Sequence, residues 1–124
     1  MRTIMAGSRE GIHYDDVLKA METCPWTPIE IVSGKARGVD TMGEQWAREN
    51  DIPIKEFPAN WKRYGIVAGI IRNEEMGDYA DALVAVWDGE SKGSKHMIDY
   101  AKKKGLKIHI HIPREKTRLE ELFE

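Results

Sequence analysis

The chain has 124 residues, of which 41% are hydrophobic and 32% charged, and its formal net charge is −2. That is the size and balance of one globular domain with a real core, and with 11 Gly and 5 Pro it lies far from low-complexity composition. The slightly negative charge excludes a protein held to DNA or RNA mainly by overall phosphate neutralisation, and the lone Cys24 excludes an intramolecular disulfide.

The first expected strand, Arg2 to Ala6, runs into the turn Gly7-Ser8-Arg9. A helix follows from Tyr14 to Met21, with Val17, Leu18 and Met21 apolar at helical spacing and Asp15 and Asp16 in its first turn. The segment from Cys24 to Pro28 breaks it. The second strand, Ile29 to Val32, enters Ser33-Gly34-Lys35-Ala36-Arg37-Gly38-Val39-Asp40, and a second helix covers Val39 to Glu49 with a stripe of Val39, Met42, Gly43, Trp46 and Ala47. Ile52 to Phe57 reads as a short third strand stopped by Pro58.

From Ala59 to Gly65 the pattern is irregular. Ile66 to Met76 forms a helix on paper, with Val67, Ile70, Ile71 and Met76 inward and Arg72-Asn73 near its middle. The fourth strand, Ala82 to Trp87, is almost continuously apolar, as a central strand covered on both faces must be. It leads through Asp88-Gly89-Glu90-Ser91-Lys92-Gly93-Ser94 into a helix from Lys95 to Lys104, with Gly105 just past its end. Leu106 to Ile112 is an edge strand with His109 and His111 on one face and Ile108, Ile110 and Ile112 on the other. Beyond a domain spanning 1–112, residues 113–124 are expected to form an amphipathic tail helix with Leu119, Leu122 and Phe123 on one side, packing on its own domain or on a second copy.

Alternating strands and helices imply right-handed crossovers and an α/β fold: a Rossmann-like, three-layer domain around a parallel five-stranded sheet ordered 3-2-1-4-5. In that order the chain reverses direction between strands one and four, and the crevice outside their carboxyl ends is the expected ligand site. The three Gly-rich turns converge there. A turn of this kind opening a helix presents unpaired N–H groups at the positive end of the helix dipole, which suits a phosphate.

Each turn also has a plain explanation. Gly7 closes a tight turn and Arg9 is then a surface residue, or else Ser8 and Arg9 hold phosphate oxygens. Gly38 and Asp40 fit an αL turn with a cap, which leaves Ser33, Gly34 and Arg37 without a role. Asp88, Gly89, Ser91, Gly93 and Ser94 make the best phosphate cradle, although Ser94 also suits a helix N-cap. Arg72 pairs with Asp78 or Asp81, or it reaches the crevice beside Asn73. Trp61 and Tyr64, with Lys62 and Arg63 between them, are either an aromatic wall for a base or a loop packed on the core.

The four histidines are scattered, and no metal or cofactor is expected. No serine stands with an evident base, so no catalytic residue is assigned. With no signal-peptide pattern and no membrane-length apolar run, a cytoplasmic protein without a membrane partner is expected.

Taken together, Gly7-Ser8-Arg9, Ser33-Gly34-x-x-Arg37-Gly38-x-Asp40, Arg72-Asn73 and Ala80-Asp81-Ala82-Leu83-Val84-Ala85-Val86-Trp87-Asp88-Gly89-x-Ser91-x-Gly93-Ser94 resemble the SLOG superfamily, and within it the YspA-type family, over nearly the whole chain to about His111. The resemblance implies a Rossmann-like fold, a nucleotide or nucleotide-derived ligand and a homo-oligomer. Relatives include LONELY GUY phosphoribohydrolases and the DNA-processing protein that loads single-stranded DNA. LONELY GUY enzymes carry a Pro-Gly-Gly-x-Gly-Thr-x-x-Glu type motif in the corresponding loop; here the Pro is absent and His96 or Met97 stands about where the catalytic Glu falls. The cradle carries over and the hydrolase does not, although Asp40, Asp81, Asp88 or Glu90 could substitute as the acid.

Three functions follow as expectations. The first is a sensor or sequestering module for a nucleotide-like phosphate ligand, with Gly7, Ser8, Arg9, Ser33, Gly34, Gly93 and Ser94 at the phosphate. The second is a nucleotide N-glycosidase. The third is single-stranded nucleic-acid binding through Arg9, Arg37, Lys62, Arg63, Arg72 and Lys92, with Trp61 or Tyr64 stacking bases.

Overall fold

The computed structural model describes residues 1–113. Five strands, β1 (Arg2–Gly7), β2 (Glu30–Ser33), β3 (Ile54–Glu56), β4 (Ala82–Val86) and β5 (Lys107–His111), form one parallel sheet in the order β3-β2-β1-β4-β5. Helices α1 (Tyr14–Thr23) and α2 (Val39–Glu49) cover one face; α4 (Ala68–Tyr79) and α5 (Lys92–Lys103) cover the other. A short helix α3 (Trp61–Tyr64) and a 3-10 turn (Gly65–Val67) lead into α4. The expected α/β architecture and strand order are those observed. Among the described residues, no helix is long and apolar enough to cross a membrane.

Strand alternation builds two cores. Ile4, Ala6, Val32, Leu83 and Ala85 point toward Met76 of α4 and Met97, Ile98 and Ala101 of α5. Met5, Ile31, Val84 and Val86 point the other way, onto Val17 and Ala20 of α1 and Val39 and Ala47 of α2. Every residue of β4 is buried, which explains its unbroken apolar run.

The structure corrects several local expectations. The irregular connection holds α3, started by Asn60, whose side chain accepts from the Arg63 N–H at 3.1 Å. Because α4 begins only at Ala68, its buried face is Ala68, Asn73, Met76 and Gly77. Of the four apolar residues expected inward, only Met76 is fully buried, while Ile66, Val67 and Ile70 are 95%, 45% and 46% exposed. Small residues decide this packing: a Cβ on Gly77 would stand 2.9 Å from the Tyr100 ring, so α4 approaches α5 closely only there.

The helix α5 starts three residues before Lys95, with Ser91 and not Ser94 as its N-cap. On β5 the expected solvated face is partly covered, since His109 Nε2 lies 3.0 Å from Thr23 Oγ1 and its ring meets Trp26 edge-on. The opposite face holds Ile108 against the core but leaves Ile110 and Ile112 exposed. The expected tail helix falls, from residue 114 onward, outside the described residues.

Leu83 is completely buried at the centre of the sheet. Leu83→Ala is expected to remove about 2–5 kcal/mol of stability, read as a lower urea midpoint with an unchanged slope. Ile110→Ala on the half-open edge strand should cost well under half of that loss.

Candidate functional site

The crevice lies where β1 and β4 end side by side and the chain direction reverses between them. Ser8, fully buried just beyond β1, fixes its floor with three hydrogen bonds. Its N–H donates to Val86 O at 3.2 Å, its Oγ accepts from the Asp88 N–H at 3.0 Å, and its carbonyl accepts from the Val39 N–H at 3.3 Å. The ends of β1 and β4 and the start of α2 are thereby joined.

Beyond β4, the Asp88 carboxylate accepts from the N–H groups of Glu90 and Ser91, both at 2.8 Å, which shapes the loop and holds Asp88 below the usual carboxylate range. Trp87 Nε1 donates to Ser91 O at 3.1 Å. This loop delivers the first turn of α5 to the crevice with no side-chain cap, so its leading N–H groups at Lys92, Gly93 and Ser94 have no acceptor within the helix. The other two turns differ. Helix α1 closes its own start through Asp16, which accepts from the His13 N–H at 2.9 Å, and α2 gives its first N–H to Ser8.

The second turn is mostly scaffold. Buried Ser33 donates to Glu44 Oε2 at 2.7 Å and accepts from the Lys35 N–H at 3.2 Å, while Lys35 Nζ reaches Glu44 at 2.9 Å and Glu56 at 3.4 Å. Burial pushes the Glu44 pKa up, but the Ser33 hydroxyl and the Lys35 ammonium outweigh it and hold the group below its ordinary value. Arg37 lies outside on the surface, paired with Glu10 at 3.0 Å. Gly38 has φ +79°, and a Cβ there would collide with the Ser8 and Arg9 backbone at 2.6 Å, so no other residue fits.

Arg72 settles its two alternatives in favour of the crevice. Asp81 is engaged by Arg2 and Asp78 by Tyr100 and Lys104, whereas Arg72 Nη1 donates to Gly34 O and Nε to Asn73 Oδ1 at 3.1 Å. Asn73 in turn donates to Gly93 O at 3.3 Å and meets His96 Nδ1 at 3.2 Å, tying α4 to the start of α5. With Asn73 as donor, Nδ1 accepts and the imidazole proton sits on Nε2. Gly34 is needed for close approach: a Cβ would stand 2.8 Å from Arg72 Nη1 and 2.9 Å from Asp40 Oδ2.

These elements enclose a cavity of about 260 Å³. Gly7, Arg9, Asp40, Arg72, Asn73, Ser91, Gly93 and Ser94 line it, together with Ala6, Ala36, Ile66, Gly69, Ile70, Met76, Lys92, His96 and Met97, which sequence reasoning did not select. Ser8, Ser33, Gly34, Arg37, Gly38, Asp88 and Gly89 lie behind or beside its wall. The missed apolar wall had a signal in Ile66 and Ile70, whose helical spacing was assigned to the core. Among the described residues Arg9 forms no hydrogen bond or ion pair, and no group of three or more His, Cys, Asp and Glu is placed to hold a metal ion. Tyr64 belongs to a different hollow beside Pro58 and Glu75, beneath the cation of Arg63 at 5.1 Å.

Asp40 is the one buried carboxyl in the cavity wall. Burial pushes its pKa up to about 6, against the pull of the Ala36 and Gly34 N–H groups and the Arg72 and Arg9 guanidinium charges. Burial also draws Arg72 below its ordinary value; Asp40 opposes that and Arg9 adds to it. Two guanidinium groups therefore face a site in which the only nearby carboxylate is held with difficulty in its charged form.

The sign of the resulting pH dependence is set by the raised pKa. The fold favours protonated Asp40, so its contribution to stability is complete below the unfolded value of 3.8 and is lost as pH rises through about 6. Asp40→Asn is thus expected to stabilise the protein at pH 7.5, by on the order of 3 kcal/mol at most, with the gain over wild type vanishing near pH 4. Thermal denaturation across that range measures it. Ser33→Ala, by contrast, leaves buried Glu44 short of a donor and should cost about 1–3 kcal/mol at neutral pH.

The family model described as the YspA, cpYpsA-related SLOG family matches residues 1–64, which carry β1 through α3 and both of the first two turns. A curated relative, the Gene 61 protein of Mycobacterium phage D29, is 29% identical over 117 residues, covering 86% of this chain and 93% of its own length. No solved structure matches the chain significantly. A family match over more than half the chain, on a fold with the expected sheet order and crevice, means that the chain belongs to the YspA, cpYpsA-related SLOG family.

Proposed function

We propose that this protein binds a nucleotide or nucleotide-derived ligand by its phosphate, in the cavity between β1, β4, α4 and α5. One observation carries the reading: two arginines, one anchored and one free, face an uncapped helix start across a cavity with an apolar wall. Unpaired N–H groups at the positive end of α5 and a planar guanidinium are complementary to phosphate oxygens. Ile66, Ile70, Met76 and Met97 supply the apolar surface against which a base or sugar loses its water. Family membership is consistent with such a ligand.

The residues divide by task. Arg72 is held by Gly34 and Asn73, so its orientation exists before any ligand arrives. Arg9 is free to close on the ligand. Gly93 offers its backbone without a side chain in front of it, since a Cβ there meets nothing within 4 Å.

Calorimetric titration with AMP, ADP and inorganic phosphate tests the proposal, and absence of heat from all three at low salt would defeat it. Arg9→Ala should weaken nucleotide binding roughly tenfold or more, the worth of a charged hydrogen bond, without lowering the melting temperature. Gly93→Ala separates fold from ligand by moving two readouts in opposite directions. A helical Gly→Ala change should raise stability by about 0.5–1 kcal/mol, while the added methyl blocks the phosphate's approach and weakens binding.

A further inference from the structure

The arginine pair borders two cavities. On the far side of Arg72 a second hollow of about 130 Å³ is lined by Pro58, Ala59, Trp61 and Lys35, and Arg9, Ala36 and Arg72 belong to both walls. Trp61 opens α3 with 53% of its surface exposed. The two hollows meet at Gly69: a Cβ there would stand 3.6 Å from Trp61 Cη2 and 3.7 Å from Arg72 Nη2. That nitrogen is the one left over after Nη1 and Nε have found their partners.

The smaller hollow is not a second anion site. Lys35 is its only cation besides the shared pair, and both Glu44 and Glu56 already neutralise it. What it offers is an indole face beside a proline and an alanine, which suits a ring. The larger hollow offers an apolar wall. Two cations therefore stand between two ring-sized, largely uncharged compartments, an arrangement that matches an anionic bridge with a ring at each end.

We propose that the ligand is a nucleoside diphosphate esterified through its terminal phosphate to a second ring. The nucleoside lies in the larger cavity, the pyrophosphate spans Arg9 and Arg72, and the second ring rests in the smaller cavity against Trp61. This rests on the nucleotide reading above and adds where the molecule ends. A pyrophosphate diester carries two negative charges, one for each guanidinium, whereas free ADP carries more charge but leaves the smaller cavity unfilled.

The test is calorimetry on the full chain with ADP, ADP-glucose and diadenosine pyrophosphate, on wild type, Trp61→Ala and Trp61→Phe. The expected result is that at least one of the two esters binds about tenfold tighter than ADP, the gain of one stacked ring, despite its lower charge. Trp61→Ala should abolish that preference, Trp61→Phe should keep most of it, and the ADP affinity should stay constant in both. Equal affinity for ADP and both esters, or an equal loss for all three in Trp61→Ala, overturns the two-compartment ligand and leaves the nucleotide reading standing. Failure of all three to bind overturns both. Trp61 is too exposed for its replacement to unfold the chain, and unchanged melting temperatures verify this.

Discussion

The three hydrogen bonds of Ser8 are the constraint on which the site depends. Its amide, hydroxyl and carbonyl reach β4, the loop after β4 and the first residue of α2, so one residue sets the relative heights of three segments that are remote in sequence. Because Ser8 is buried, none of these bonds competes with water. Asp88 shapes its loop only because its own amide is already fixed by Ser8, and α5 therefore begins at a defined depth. The residue that organises the crevice is hidden beneath it.

A similar separation of holding from contacting runs through the other turns. Ser33, Gly38, Asp88 and Gly89 spell much of the sequence pattern, yet they serve the backbone and one another. Arg9, Arg72, Asn73 and the start of α5 present the chemistry. Between them stands Asp40, a carboxyl buried at some cost beside the two guanidinium groups whose charge it partly offsets. Local instability of this kind is common where a site is shaped for something other than the fold itself.

Much of this was legible in the sequence, for identifiable reasons. Sheet order and crossover pattern followed from strand and helix periodicity, and the bounds of α2 were read exactly, because Val39 to Glu49 has both a clear stripe and clear ends. The start of α4 was misread because Ile66, Val67 and Ile70 look like a core face, whereas packing against α5 selects small residues such as Gly77. Ser94 looked like a cap because hydroxyl residues recur through the loop, but the turn built on Asp88 carries the chain into the helix three residues sooner. The pairing of Arg72 is a long-range matter: Asp81 is claimed by Arg2 and Asp78 by α5, and no local spacing reveals either. The site's turns were therefore visible one by one, but which of their residues face inward depends on partners brought in from elsewhere in the fold.

The alternation of β1 between the two cores has a consequence for how this chain can vary in length. Ile4 and Ala6 belong to one core and Met5 to the other, while the strand is pinned in register to β2 at Arg2 through Ile4 and to β4 at Thr3 through Gly7. A single inserted or deleted residue within Arg2 to Ser8 would exchange the faces of everything beyond it and lift Ser8 out of reach of Val86 and Asp88. The same change between Cys24 and Pro28, outside any strand or helix, shifts no side chain across the sheet. Length variation among proteins of this architecture should thus collect in the outer connections, and β1 should be as strict in its residue count as in its composition.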